Sequence, residues 1–190
     1  ADDVFVADLR EQSGNPGVFE HAGTTLASRA DGAGGAAGDG QSSDPSLSGD
    51  GRHVAFASGS TNLDAADTNG GRDVYKRDLQ AADTSLLSRE DGAAGLRGDS
   101  VSGHAAISGD GRFVAFESSA TNLAADDQAV QGIFLRDTQT ADTILLSRAS
   151  GGSGSAAGDR SDNPSISGDG RLTAFYSFAK NLDGTDPGGA

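Results

Sequence analysis

Oxygen-bearing side chains crowd one stretch of the chain, Asp64-Ala65-Ala66-Asp67-Thr68-Asn69-Gly70-Gly71-Arg72-Asp73. Asp64, Asp67, Asn69 and Asp73 around a glycine bend form the kind of pattern by which short loops wrap Ca²⁺, a hard cation that takes about six to eight oxygen ligands. Residues 67–73 read D-x-N-G-x-x-D, a trimmed relative of longer calcium loops. The corresponding stretches depart from it, with Asp126-Asp127-Gln128 followed by Gly132 in one and Asp183 and Asp186 followed by Pro187-Gly188-Gly189 in the other. Without a cation, such carboxylates close Asx turns and solvate a loop.

Other residue types with chemical potential lack partners. Arg97-Gly98-Asp99 spells an adhesion tripeptide, but Ala37-Gly38-Asp39 and Ala157-Gly158-Asp159 stand at matching places, so Gly-Asp reads as a turn element and Arg97 as one variant of it. His21, His53 and His104 are scattered, and no spacing ties any of them to a Ser and an Asp as a catalytic triad, or to one another as a metal site. Carboxylate pairs carry no information in a chain with 28 acidic residues. Gly151-Gly152-Ser153-Gly154 opens no helix and so is no phosphate loop. Asn163 precedes Pro164, which removes the N-glycosylation acceptor, while Ser42-Ser43 and residues 150–155 could carry O-linked sugar. No nucleophile–base constellation stands out, and a non-enzymatic role is expected.

The 190 residues carry a net charge of −14 and contain no Cys, Met or Trp. Such a chain repels phosphate backbones and anionic lipid, so nucleic acid and membrane are poor partners and cations are better ones. No apolar run approaches the ~18 residues of a spanning helix. With no cysteine there is no disulfide framework. Ala1 in place of Met, without a preceding leader, points to a processed or excised form and fits a secreted, extracellular protein.

What must position these residues is a repeat. Ser-Gly-Asp-Gly-Arg occurs at residues 48–52, 108–112 and 167–171, spaced by 60 and 59 residues. An apolar strand follows each time: His53-Val54-Ala55-Phe56, Phe113-Val114-Ala115-Phe116 and Leu172-Thr173-Ala174-Phe175. Asn62-Leu63, Asn122-Leu123 and Asn181-Leu182 come next. Residues 73–78 match 132–137 and 3–8, and residues 84–89 match 143–148 and 24–29. One unit therefore reads as four short strands, A to D, here placed in the second copy near residues 105–108, 113–118, 133–137 and 143–148. Asp-Gly at the A–B connection suits a tight hairpin, and the D–A connections are Gly-rich loops. The recurring Arg29, Arg89, Arg148 and Arg52, Arg112, Arg171 predict arginine–carboxylate contacts within or between units.

Four-stranded units in tandem predict propeller blades. The pattern resembles the TolB-like propeller repeat, in which a Ser-Pro-Asp-Gly-Lys/Arg turn precedes an aliphatic-Ala-Phe strand; Gly49, Gly109 and Gly168 stand where that family usually has Pro. The expected fold is all-β, a single repeat domain over 1–190 with three four-stranded β-propeller-type blades. Blades at 45–89 and 105–148 are whole, and one is split between strands C and D at 1–29 and strands A and B at 164–190. Because three blades are too few for a ring, the split blade is expected to join other copies of the chain head to tail, as a fibre or a ring. The alternatives are a propeller module binding Ca²⁺, glycan or a protein ligand, and a piece of a longer propeller. The first C–D connection carries an insertion, residues 10–23, unique to that unit and suited to partner contact.

Overall fold

The computed structural model describes residues 2–125, 130–150 and 154–183, so Asp126, Asp127, Gln128, Gly151, Gly152, Ser153 and the stretch from Asp186 through Gly189 lie outside the described residues. Among the described residues the fold is all-β, with twelve antiparallel strands and no helix. β3 (Ser42–Leu47), β4 (His53–Ser58), β5 (Asp73–Asp78) and β6 (Asp83–Leu86) form one four-stranded sheet in the order A-B-C-D. β7 (Ser102–Ile107), β8 (Phe113–Ser118), β9 (Gly132–Asp137) and β10 (Asp142–Leu145) form a second. β1 (Phe5–Glu11) with β2 (Phe19–Leu26), and β11 (Ser161–Ile166) with β12 (Thr173–Ser177), are two-stranded sheets, the first a C–D half and the second an A–B half. The sheets do not close on one another.

Strand alternation gives each sheet two apolar faces. One cluster joins Val4 and Ala27 of the first half to Val54, Phe56, Tyr75 and Leu86 of the next sheet. Another joins Ala55, Val74 and Leu87 to Ile107, Val114, Phe116 and Phe134. Within each whole blade one aromatic pair spans strands B and C: Phe56 stacks on Tyr75 with centroids 5.8 Å apart, and Phe116 on Phe134 at 5.9 Å.

The Ser-Gly-Asp-Gly-Arg segment builds the A–B turn by itself. Ser48 Oγ donates to Asp50 Oδ1 (2.5 Å) and accepts from the His53 amide, and Asp50 Oδ1 also accepts from the Arg52 amide. The same set recurs at Ser108–Asp110 and Ser167–Asp169. Gly51, Gly111 and Gly170 hold φ near +70°, the left-handed region that disfavours a Cβ. Gly49, Gly109 and Gly168 have a different role: they lie against one another in successive sheets. Asp50 N–H donates to the Gly109 carbonyl at 3.1 Å, and Gly109 N–H to the Gly168 carbonyl at 2.8 Å. A Cβ on Gly109 would lie 2.8 Å from the Gly168 oxygen, which gives a steric reason for glycine where the related turn carries proline.

Strand A starts earlier than the sequence suggests, at Ser102 rather than Ala105, and strand D ends at Leu145 rather than Arg148. The early start crosses a bulge: Asp44, His104 and Asn163 sit at positive φ where the A–B register slips. His104 is thus a bulge residue inside a strand. The insertion is likewise not a loop. It extends strands C and D into a hairpin, with Asp8 opposite Gly23, a register shift, then Leu9 opposite His21 and Glu11 opposite Phe19.

Ala82 and Ala141, in the two short C–D turns, adopt φ of 58° and 64°. Each Cβ is strained there, so Ala82→Gly and Ala141→Gly are expected to stabilise the chain by about 0.5–1 kcal/mol apiece in urea denaturation. Destabilisation by either would show that the turn is held by contacts of the methyl group.

Candidate functional site

The loop of Asp64, Asp67, Asn69 and Asp73 is bound up with the fold. Asp64 accepts from the Ala66 and Leu86 amides, and Asn69 Oδ1 accepts from Gly71 N–H. Asp67 is buried, takes the Tyr75 hydroxyl at 2.6 Å on Oδ2 and caps the Asn69 amide with Oδ1. Asp73 is fully buried, accepts from Ser88 Oγ at 2.6 Å, and leaves Oδ2 without a protein partner. Burial pushes the Asp73 carboxyl upward in pKa, with the Ser88 hydroxyl opposing it. Burial, reinforced by Asp67, pushes the Tyr75 phenol far upward, so it stays a donor at every ordinary pH. Among the described residues no three acidic or histidine side chains gather as a metal would need. Asp3 and Ser28 reproduce the Asp73–Ser88 pair in the first half-sheet.

The adhesion-like tripeptide is folded in. Asp99 accepts from both the amide and hydroxyl of Thr121, as Asp39 does from Thr61. The repeated arginines divide into two groups. Arg52 and Arg112 reach Asp78 and Asp137 at 2.6 Å across strands B and C, as expected. Arg29, Arg89 and Arg148 instead donate to the carbonyls of Gly35, Gly95 and Gly154, closing the D–A loops. Two arginines the sequence reading passed over, Arg77 and Arg136, are buried and clamp the preceding D–A loop through its carbonyls.

The most distinctive surface lies at the two half-sheets. Among the described residues β12 and β1 each pair on one side only, although their counterparts β4–β5 and β8–β9 are bonded along their full length. Phe5 occupies the position of Tyr75 and Phe134, both fully buried, yet is 58% exposed. Leu47 is 52% exposed where Ile107 is 7% exposed. Leu172 is 73% exposed, whereas its counterparts His53 and Phe113 pack under the Gly111 and Gly170 turns. A Cβ at Gly51 or Gly168 would meet nothing within 4 Å, whereas one at Gly111 or Gly109 would meet the neighbouring sheet. Among the described residues Arg171, the counterpart of Arg52 and Arg112, stands opposite no strand-C aspartate, and Asp8, the counterpart of Asp78, pairs with Arg10. Every deficit at one end has its complement at the other.

No protein-family model matches the chain, and no curated protein matches it in sequence. Solved structures similar to it are propellers. TolB from Acinetobacter baumannii is 16% identical with a TM-score of 0.44, over 91% of this chain and 37% of that one. The β-propeller domain of the Trilobed protease from Pyrococcus furiosus is 16% identical with a TM-score of 0.45, over 74% and 35%. A putative TolB from Agrobacterium tumefaciens is 16% identical with a TM-score of 0.49, over 92% and 54%. The chain thus spans little more than a third of the first two, and the propellers it resembles include enzymes, an acylaminoacyl peptidase and an oligogalacturonate lyase among them. The likeness is one of fold.

Two predictions follow from the buried and paired aspartates. Tyr75→Phe leaves Asp67 buried without its donor and is expected to cost about 1–3 kcal/mol in denaturant, and a cost near zero would mean Asp67 finds water instead. Arg52 and Arg112 hold Asp78 and Asp137 well below the usual carboxylate range. Depressed folded-state values add stability that is present above about pH 4 and is lost as pH falls below it. Asp78→Asn combined with Asp137→Asn should therefore flatten the acid limb of a stability–pH curve. An unchanged limb would assign acid unfolding to other groups.

Proposed function

We propose that the chain is a non-enzymatic structural protomer, an extracellular building unit that polymerises head to tail by completing its split blade with a second copy. The observation that carries this reading is the unpaired aromatic at each end. In both whole blades strand B offers a phenylalanine to an aromatic on strand C; Phe175 on β12 and Phe5 on β1 are the two halves of a third such pair, held in one chain on opposite ends.

The register of the joint follows from the whole blades. His53 stands opposite Asp78 and Phe56 opposite Tyr75, so Leu172 faces Asp8 of the next copy, Ala174 faces Val6, and Phe175 stacks on Phe5. Arg171 then reaches Asp8 as Arg52 reaches Asp78. Leu47 of the incoming copy covers Ala174 as Ile107 covers Ala55, and Leu172 takes the Gly51 turn. Each copy contributes two whole blades and one joint. Repetition of the contact gives a fibre, while closure after two copies gives six blades, within the usual four to eight of a ring. Backbone bonds at about 1 kcal/mol each, added to buried apolar surface, supply the affinity.

The chain has no native cysteine, which makes the test clean. A Val6→Cys, Ala174→Cys double variant should give a ladder of disulfide-linked species on a non-reducing gel that collapses on reduction, and fibres in negative-stain micrographs. Gly168→Ala should leave a single chain folded, since a Cβ there meets nothing within 4 Å, yet weaken assembly. A chain that stays monomeric at high concentration, with both cysteines reactive and unlinked, would end the proposal.

A further inference from the structure

The joint differs from the junction between the two whole blades and resembles the junction of β1–β2 with the β3–β6 blade, where the corresponding residues are Val6 and Leu79, apolar and packed on the core. Where the β3–β6 blade meets the β7–β10 blade, Lys76 Nζ reaches across to Thr138 Oγ1 (2.9 Å) and to the Gly111 carbonyl. Burial holds the Lys76 ammonium below its ordinary pKa. At the next junction, the one formed with a second copy, the counterpart of Lys76 is Leu135 and the counterpart of Thr138 is Leu9. Both polar partners have become leucine. Ser85, opposite Lys76 in its sheet, is likewise replaced by Ile144, opposite Leu135 and 51% exposed. On the other side, the clamping arginine of strand C, Arg77 or Arg136 in the whole blades, is Ala7. Phe5, Ala7 and Leu9 alternate along β1 and so share one face.

The hairpin insertion lengthens that face. Leu9 is 63% exposed and pairs with His21, and Phe19 is also exposed two residues back along β2, on the Leu9 side. An isolated chain therefore shows water a leucine–isoleucine patch on the β9–β10 face and a matching apolar row on the β1–β2 hairpin.

From these matched apolar groups, and from the Lys76–Thr138 pair that sets the whole-blade junction apart, we infer that the hairpin of residues 9–22 is a latch, whose Leu9 and Phe19 pack on Leu135 and Ile144 of the preceding copy. The inference rests on the head-to-tail reading and adds to it a specificity device. The edge pairing of β12 with β1 alone would accept any compatible strand, and a half-blade edge is a general hazard for misassociation. The latch requires the strand-C neighbour to be a β7–β10 blade, because the β3–β6 blade would present Lys76 instead. It thereby makes the assembly directional and excludes insertion of the hairpin at the internal junction, where burying the Lys76 charge against leucine would be unfavourable.

The test is an exchange of partners across the joint. Leu135→Lys is tolerated by the blade, since Lys76 occupies the same place in its neighbour. It should weaken assembly about tenfold or more by light scattering or sedimentation. Adding Leu9→Thr rebuilds the Lys76–Thr138 pair between copies and should recover much of the loss, whereas Leu9→Thr alone weakens. Replacing residues 9–22 with the four-residue turn of residues 138–141 should also weaken assembly without lowering the melting temperature of the dissociated chain. If the Val6–Cys and Ala174–Cys disulfide forms but Leu135→Lys and the hairpin replacement assemble as well as the parent, the latch is wrong and the joint stands. If that disulfide never forms, the joint itself is wrong. Additive losses in the Leu135→Lys, Leu9→Thr pair, with no recovery, would place the two residues in separate contacts and overturn the latch.

Discussion

A four-stranded sheet with apolar residues on both faces cannot remain in water, and this constraint shapes the whole molecule. Each sheet here solves it in the same manner, by lying against the next so that Ala55 and Val74 of one meet Ile107 and Phe116 of the other. The solution is never complete within a finite row, because the first and last faces stay uncovered. Closed propellers remove the problem by bringing the last blade back to the first. In this chain the row begins with a C–D half and ends with an A–B half, and the uncovered faces are those with Phe5, Leu47 and Leu172.

The junctions between sheets are directional. At each, a carbonyl at the entry to strand C accepts from the first amide of the next strand A: Asp2 from Ser42, Arg72 from Ser102, Gln131 from Ser161. The D–A loop then reaches over the following sheet, where Arg77 and Arg136 hold it by its carbonyls. A carbonyl-bound arginine with no carboxylate partner keeps its charge in a buried place by hydrogen bonding alone, which demands a loop of fixed shape. The recurrent Arg29–Gly35 and Arg89–Gly95 contacts give the loop that shape. Two sets of arginines therefore do one task, the first folding the loop and the second fastening it to its neighbour.

Much of this architecture was legible because the repeat is carried by residues with local physical roles. Serine, aspartate and glycine in the A–B turn are readable as a closed hydrogen-bonded hairpin, and strand B was placed to the residue. Strand A was placed late because its bulge puts Asp44, His104 and Asn163 at positive φ, and non-glycine residues give little sign of that conformation in advance. The hairpin of residues 9–22 was legible as an insertion and illegible as strands, since its apolar residues Leu9, Val18 and Phe19 stay largely exposed. The oxygen-rich loop shows what residue spacing leaves out. Spacing alone cannot reveal that Tyr75 and Ser88, from other strands, already engage Asp67 and Asp73.

Where a repeat is strict, a residue tells about the fold; where it breaks, the residue tells about something the fold does not require. Gly49, Gly109 and Gly168 are strict, and backbone contact between successive turns explains them. Tyr75 against Phe134 and Phe5 is a tolerated break, all three being planar rings on the same strand position. The change of Lys76 to Leu135 is of another kind, because it removes a charge and a hydrogen-bond donor, and Leu9 stands where the acceptor Thr138 would be. Two independent drifts to leucine on unrelated solvent-exposed surfaces would each add apolar area to water for no structural return. Placed against each other they become a contact. On the head-to-tail reading we propose, the match between Leu9 and Leu135, rather than the incompleteness of either half-sheet, is the ground for a second copy of this chain as the partner over an unrelated strand.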